Sequence, residues 1–306
     1  MSEIRSILKE MRAQRRAHDR ELLGITEDQM NFPTDFTFDT MMTGDSGSVH
    51  GAGIAWMFQR RFDHLEEHAI QIEDHLCARF GIEQTQAHRY WAANQESRGD
   101  LYAALLGLTD DDLDEAPVEP PGEWPARTTL EHTLGAEHSY RLNTRWAVDK
   151  FRAGEPFEPM PDIDGEHDHT LSLDDLVQLL DDAREAALDE LLDLRDDELR
   201  APTRWFGIDC DVRFRLMRFA QHEREHTAQL RKWRVQTGKP YTEAARYLGM
   251  CWQRNGRLEG ILCGAPDDVL DRKSGDGEWT IRQILAHISR AERYFKHVVD
   301  EALQGR

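Results

Sequence analysis

Two histidine pairs have the residue type and spacing for metal chemistry: His64-x-x-x-His68 and His222-x-x-x-His226. On a helix, residues four apart share a face, so each pair presents two imidazoles side by side as a bidentate clamp. One such pair in a chain with 14 histidines is an easy coincidence. Both pairs, however, are followed at the same distance by a glutamine and an aliphatic residue, Gln71-Ile72 and Gln229-Leu230. The repetition points to one functional pattern written twice, and it raises the question of a third ligand.

Such clamps require helices, and apolar residues recur at helical spacing almost throughout the chain. The spacing predicts eight long helices, at approximately 3–28, 54–80, 86–107, 126–153, 173–194, 211–238, 241–263 and 280–303. No stretch alternates like a strand, so the expected fold class is all-α. The breaks carry loop chemistry: Asn31 to Thr34, Gly44 to Gly53, Pro117 to Gly122, Gly154 to Gly165, Pro202-Thr203 and Ser274 to Gly277. Ser172, with Asp175 three positions on, and Thr280 read as helix N-caps.

The 306 residues suffice for two domains, and 39% hydrophobic with 31% charged residues marks a soluble globular protein. No stretch approaches the ~18 consecutive apolar residues of a membrane span. The charged, amphipathic N-terminus lacks the apolar centre of a signal peptide, so the expected location is the cytoplasm. A net charge of -20 argues against nucleic acid and anionic membranes as partners. Cys77, Cys210, Cys251 and Cys263 show no Cys-x-x-Cys spacing and are expected as small buried apolar residues.

Internal repeats supply the third ligand. The segment Glu21 to Thr34 aligns without a gap on Glu190 to Thr203, and each is followed by its own His-x-x-x-His helix. A second correspondence pairs Arg89-Tyr90 with Arg246-Tyr247, Leu105-Leu106-Gly107 with Leu262-Cys263-Gly264, and Gly122-Glu123-Trp124 with Gly277-Glu278-Trp279. His132 stands eight residues after Trp124, His287 eight after Trp279, and Ala136-Glu137 and Ala291-Glu292 follow at matching distances. Residues 86–240 therefore read as a complete four-helix unit. Residues 1–85 and 241–306 each hold half of one. Neither half could bury its apolar stripe alone, so the two are expected to combine into a second bundle, circularly permuted relative to the first. The halves close either within one chain or between the subunits of a dimer.

The expected ligand sets are His132, His222 and His226 in the continuous unit and His287, His64 and His68 in the split one. Three neutral imidazoles leave a position open to water or substrate, as in catalytic rather than structural sites. Phe219, His222, His226, Leu230 and Trp233 follow one another along a single inward stripe. For an isolated histidine, a hydrogen-bonded core residue is the better reading; the same three-histidine set in two units favours metal. Gln71 and Gln229 are read either as partners orienting a ligand histidine or as helix-packing residues. Glu137 and Glu292 are read as surface salt-bridge partners, with proton carriage as the alternative. His167 and His169 belong to a polar loop, His75 has Trp233 as its counterpart, and Trp124 and Trp279 are expected to lock their loops against the bundle. No catalytic acid, base or nucleophile is assigned.

At these residues the chain resembles the DinB-like, or YfiT-like, metalloenzyme superfamily. The resemblance is carried by Trp-x7-His, at Trp124 to His132 and Trp279 to His287, and by His-x-x-x-His-x-x-Gln-Leu, with Ile72 in place of Leu in the first copy. It implies four-helix bundles with a three-histidine site for a divalent ion such as zinc, nickel or iron. Similar proteins look like metal-dependent enzymes, several using low-molecular-weight thiols in transfer or isomerisation and others resembling hydrolases. The family usually forms dimers of one-bundle subunits, so this chain looks like a fused pseudo-dimer, either monomeric or a homo-dimer. The stretch from Gly44 to Gly53 has no match before the other clamp, so access to the two sites is expected to differ.

Three functions compete at this point. One is a metal-dependent enzyme acting on a small-molecule substrate, as a thiol-dependent transferase or isomerase or as a hydrolase. Another is a non-catalytic metal- or ligand-binding helical stress protein, and the third is a metal-free scaffold. Retention of all six histidines favours the first two.

Overall fold

The computed structural model describes residues 2–40, 45–118, 122–160 and 170–305. In chain order these form α1 (Glu3–Leu22), β1 (Pro33–Thr40), β2 (Asp45–Gly53), α2 (Ile54–Asp74), α3 (Gln86–Leu105), α4 (Ala126–Arg152), α5 (Leu173–Leu191), β3 (Pro202–Trp205), β4 (Ile208–Asp211), α6 (Val212–Gln236), α7 (Glu243–Ile261) and α8 (Ile281–Leu303). The fold class is all-α, and the chain divides into two compact units: Gln84–Pro240, and Met1–Glu83 together with Tyr241–Arg306. Among the described residues no helix is long and apolar enough to cross a membrane.

Side chains stop the backbone donors at most helix starts. Ser2, Thr85, Ser172, Asp211, Thr242 and Thr280 each accept from the amide three residues on, and Ser172 and Thr280 complete capping boxes with Asp175 and Gln283. Each such cap contributes about 1 kcal/mol. In the unit Gln84–Pro240, α6 packs on α3 and α4, and α4 on α5. In the other unit α2 packs on α7 and α8, while α1 packs on both α7 and α8. Its core joins Ile4 and Leu8 of α1, Leu65 and Ile72 of α2, Leu258 of α7 and Leu285 and Ile288 of α8. The core thus draws on both ends of the chain. Full burial of each such side chain is worth about 1.5–3 kcal/mol.

The helix expected at 3–28 ends at Leu22, and a turn of 3-10 helix at Gln29–Asn31 follows. Two antiparallel hairpins, β1–β2 and β3–β4, stand where only loops were expected, one before each His-x-x-x-His helix. Their alternation is short: Thr34 and Phe36 point inward while Asp35 and Thr37 face solvent, and in the second hairpin Thr203 alone is buried. The stretch ending at Gly53 is therefore not an unmatched insertion but the second arm of a longer hairpin, with Gly44 outside the described residues. Gly53 closes that arm against the 3-10 turn, where an added Cβ would lie 2.8 Å from the Met30 carbonyl oxygen. The short hairpin turns through Phe206 and Gly207, both at positive φ (45° and 79°).

Candidate metal centres

Each His-x-x-x-His helix meets one histidine from the helix that opens after the tryptophan. On α2 and α8, His64 Nε2 lies 2.9 Å from His287 Nε2 and 3.2 Å from His68 Nε2. On α6 and α4, His222 Nε2 lies 3.1 Å from both His132 Nε2 and His226 Nε2. The structure thus brings all six sequence-derived histidines into two triads. His167 and His169 lie outside the described residues.

The glutamines orient one imidazole in each triad. His68 Nδ1 is 2.9 Å from Gln71 Oε1, and His226 Nδ1 is 2.9 Å from Gln229 Oε1. An amide oxygen only accepts, so Nδ1 carries the proton and Nε2 of the neutral ring presents a lone pair. His64 Nε2 and His222 Nε2 each face two other ring nitrogens with at most one proton to give. Hydrogen bonding alone therefore leaves lone pairs opposed, and a cation resolves the conflict. Two nitrogens each about 2.1 Å from one ion, at angles between octahedral and tetrahedral, stand about 3.0–3.4 Å apart. The donor set fits a divalent metal in spacing and in chemistry.

Burial keeps His64, His68, His222 and His287 in the binding-competent neutral form. Desolvation, and then the neighbouring His68 and His287, push His64 down to about 2. Desolvation, with His226 and His132, takes His222 to about 4, and desolvation with His68 takes His287 to about 4. Trp279 stacks on His68 with ring centroids 6.2 Å apart and meets His287 at a tilt, and Trp124 stacks on His226 at 6.1 Å and meets His132 edge-on. These tryptophans cover one side of each triad, more than the loop-locking role expected of them.

Sequence reasoning missed three neighbours that recur at equal offsets in both units. Arg60 grips Glu67 through two bonds of 2.9 Å, and Arg218 grips Glu225 at 3.0 and 3.2 Å. Eight residues after the lone histidine, Phe295 packs edge-on against His64 and Tyr140 edge-on against His222. Comparing the repeats position by position, rather than searching for ligand types, would have found all three.

Glu137 and Glu292 are corrections. Far from the surface, both are buried in ion-pair clusters. Glu292 accepts from Arg15 and Arg61, and Glu137 from Arg98 and Arg184; Arg98 also donates to Glu223 at 2.6 Å. Burial alone would raise the Glu292 carboxyl, but Arg15 and Arg61 hold it down to about 2. Fully paired carboxylates of this kind fix helix positions and are poor proton carriers. Cys77 is exposed and Cys210 half-buried, against expectation, while Cys251 and Cys263 are buried. His75 is buried with Ser274 Oγ at 3.2 Å, and its counterpart Trp233 donates to the Glu115 carbonyl at 2.7 Å.

Residues 93–230 match the family model of the DinB superfamily. No curated protein and no solved structure matched the chain.

Proposed function

Because residues 93–230 belong to the DinB superfamily, whose members usually bind metal, we propose that the protein is a metal-dependent enzyme acting on a small molecule. His132, His222 and His226 hold one divalent ion, and His64, His68 and His287 hold a second in a circularly permuted unit of the same kind. The observation that carries this reading is the convergence of three Nε2 atoms in each unit, with one tautomer set by a glutamine. The matching helix contacts of the two units support the permutation: α2, α8, α7 and α1 pack as α6, α4, α3 and α5 do.

Zinc, nickel or iron held by the three imidazoles would supply a Lewis acid for a thiolate, a water or a carbonyl oxygen. The chain's own residues do the rest. Gln71 and Gln229 hold the tautomer, Trp124 and Trp279 shield one side from water, and the buried arginine–glutamate clusters keep the ligand helices in register. The reaction assigned is transfer or isomerisation dependent on a low-molecular-weight thiol. Exposure of His132 at the edge of its triad supports catalysis over storage of an ion, because a substrate can reach that centre.

Metal analysis of the purified protein tests the reading. Two ions per chain are expected, falling by one in His222→Ala and by one in His64→Ala; a folded protein that binds no metal sinks it. After cobalt substitution, addition of a thiol should shift the visible absorption bands, and a spectrum indifferent to every thiol removes the thiol chemistry.

A further inference from the structure

Most of the buried arginines among the described residues come with carboxylates. Arg12 pairs with Glu259, Arg15 with Glu292, Arg61 with Asp19, and Arg98 and Arg184 with Glu137. Arg215 is 5% exposed, yet its guanidinium donates only to the Arg204 carbonyl, and its Nε is buried without an acceptor. No acidic group pairs with it among the described residues. A buried unpaired charge costs several kcal/mol and persists where something supplies the counter-charge. On the strand whose Arg204 carbonyl Arg215 grips, the Thr203 hydroxyl is also buried without a partner.

This position leads to the metal centre of the continuous unit. Arg215, Phe219, His222 and His226 share one stripe of α6, at steps of four, three and four. Tyr140 spans the interval: its ring packs on His222 and Phe219, with centroids 5.5 Å away in both cases, and its hydroxyl reaches Arg218. In the other unit the same positions hold Met57 for Arg215 and Phe295 for Tyr140, and the Thr34 hydroxyl donates to the Ala52 carbonyl at 2.7 Å. Among the described residues, this polar, unsatisfied set occurs in the continuous unit and not at the matching positions of the other.

We propose that Arg215 and Thr203 form an oxyanion subsite that takes the carboxylate of a small organic substrate, whose reacting end lies at the His132, His222 and His226 centre. A guanidinium offers a carboxylate two parallel donors, which suits it better than a spherical anion, and the threonine hydroxyl adds a third. This deepens the proposed function by naming the substrate class, and it rests on reading those histidines as the reaction centre. Burial lowers the Arg215 pKa, as expected for a cation held without its counter-ion.

The test uses the full chain stripped of metal with chelator, and succinate as probe. Succinate should raise the melting temperature of the wild type, while chloride at equal ionic strength should not. In Arg215→Met, which installs the residue of the other unit, the apparent affinity for succinate should fall at least about tenfold, the size expected for losing a charge-assisted pair. The ligand-free variant should melt higher than wild type, since a buried unpaired charge is gone. Unchanged succinate affinity overturns the proposal, as does a lowered melting temperature with no loss of binding, which would make Arg215 a clasp for the hairpin. Should Arg215→Met fail to fold, Arg215→Lys keeps the charge but not the fork and is expected to bind succinate about tenfold more weakly; equal binding overturns the subsite. Since the probe is read without metal, a protein that binds succinate but no metal would sink the enzyme reading and leave the subsite standing.

Discussion

The two histidine centres share donors, glutamines and tryptophan covers, and differ in what stands beside them. In the split unit the long hairpin turns Phe36 inward against Trp56, Tyr294 and Phe295, each with centroids 5.6 Å away, and Phe295 in turn abuts His64. In the continuous unit the short hairpin ends at Phe206, 86% exposed, and the ring beside His222 is the phenol of Tyr140. His287 is half-buried where His132 is exposed. Two copies of one histidine triad can thus be kept while their surroundings diverge, one toward an apolar enclosure and the other toward an exposed edge.

The largest expected difference lies beneath the sites. Among the described residues Arg15 is ion-paired with Glu292, whereas Arg98 and Arg184 both keep Glu223 when Glu137 is changed. Glu292→Gln should cost about 3–5 kcal/mol, and Glu137→Gln about 1–3 kcal/mol, both read from denaturant unfolding. Equal costs would break the contrast. Phe36→Ala should remove about 3 kcal/mol of packing; it should also speed release of metal from the split unit to a chelator, toward the rate of the continuous one. Gln71→Leu and Gln229→Leu should each weaken one ion by about 10- to 100-fold, seen by competition with an indicator dye.

Acid provides a subtler contrast in metal-free protein. A histidine whose folded pKa is depressed gives stability that is complete above its unfolded value of 6.5 and lost as pH falls toward the folded value. For His222 that loss ends at about 4, and for His64 it continues to about 2. His64→Leu should therefore flatten the acid-unfolding curve to lower pH than His222→Leu does. The smallest effect concerns the short hairpin. Phe206 holds φ at 45°, a conformation asparagine tolerates better, so Phe206→Asn should raise stability by about 1 kcal/mol in thermal unfolding.

The helices and the six histidines were legible because both signals repeat: apolar periodicity within each helix, and ligand spacing between the units. The hairpins were not, since Thr34 and Phe36 give only two inward residues, too few to register as alternation. The ion-pair layers were hidden for another reason. Glu137, Glu292, Arg15 and Arg184 are residue types that normally face solvent, and only their place on the inward stripe of each helix betrays them. Arg215 was overlooked in the same way, although it stands on the stripe that located His222 and His226.

The split unit also sets a schedule. His64 and His287 are separated by 223 residues of chain, which at roughly 5–20 residues per second represents about 10–45 s of synthesis. The continuous unit can close while the ribosome is still working, but α1 and α2 must wait with their apolar stripes uncovered until α7 and α8 emerge. A nascent chain paused before residue 281 should accordingly hold one metal centre and engage chaperones through its first helices.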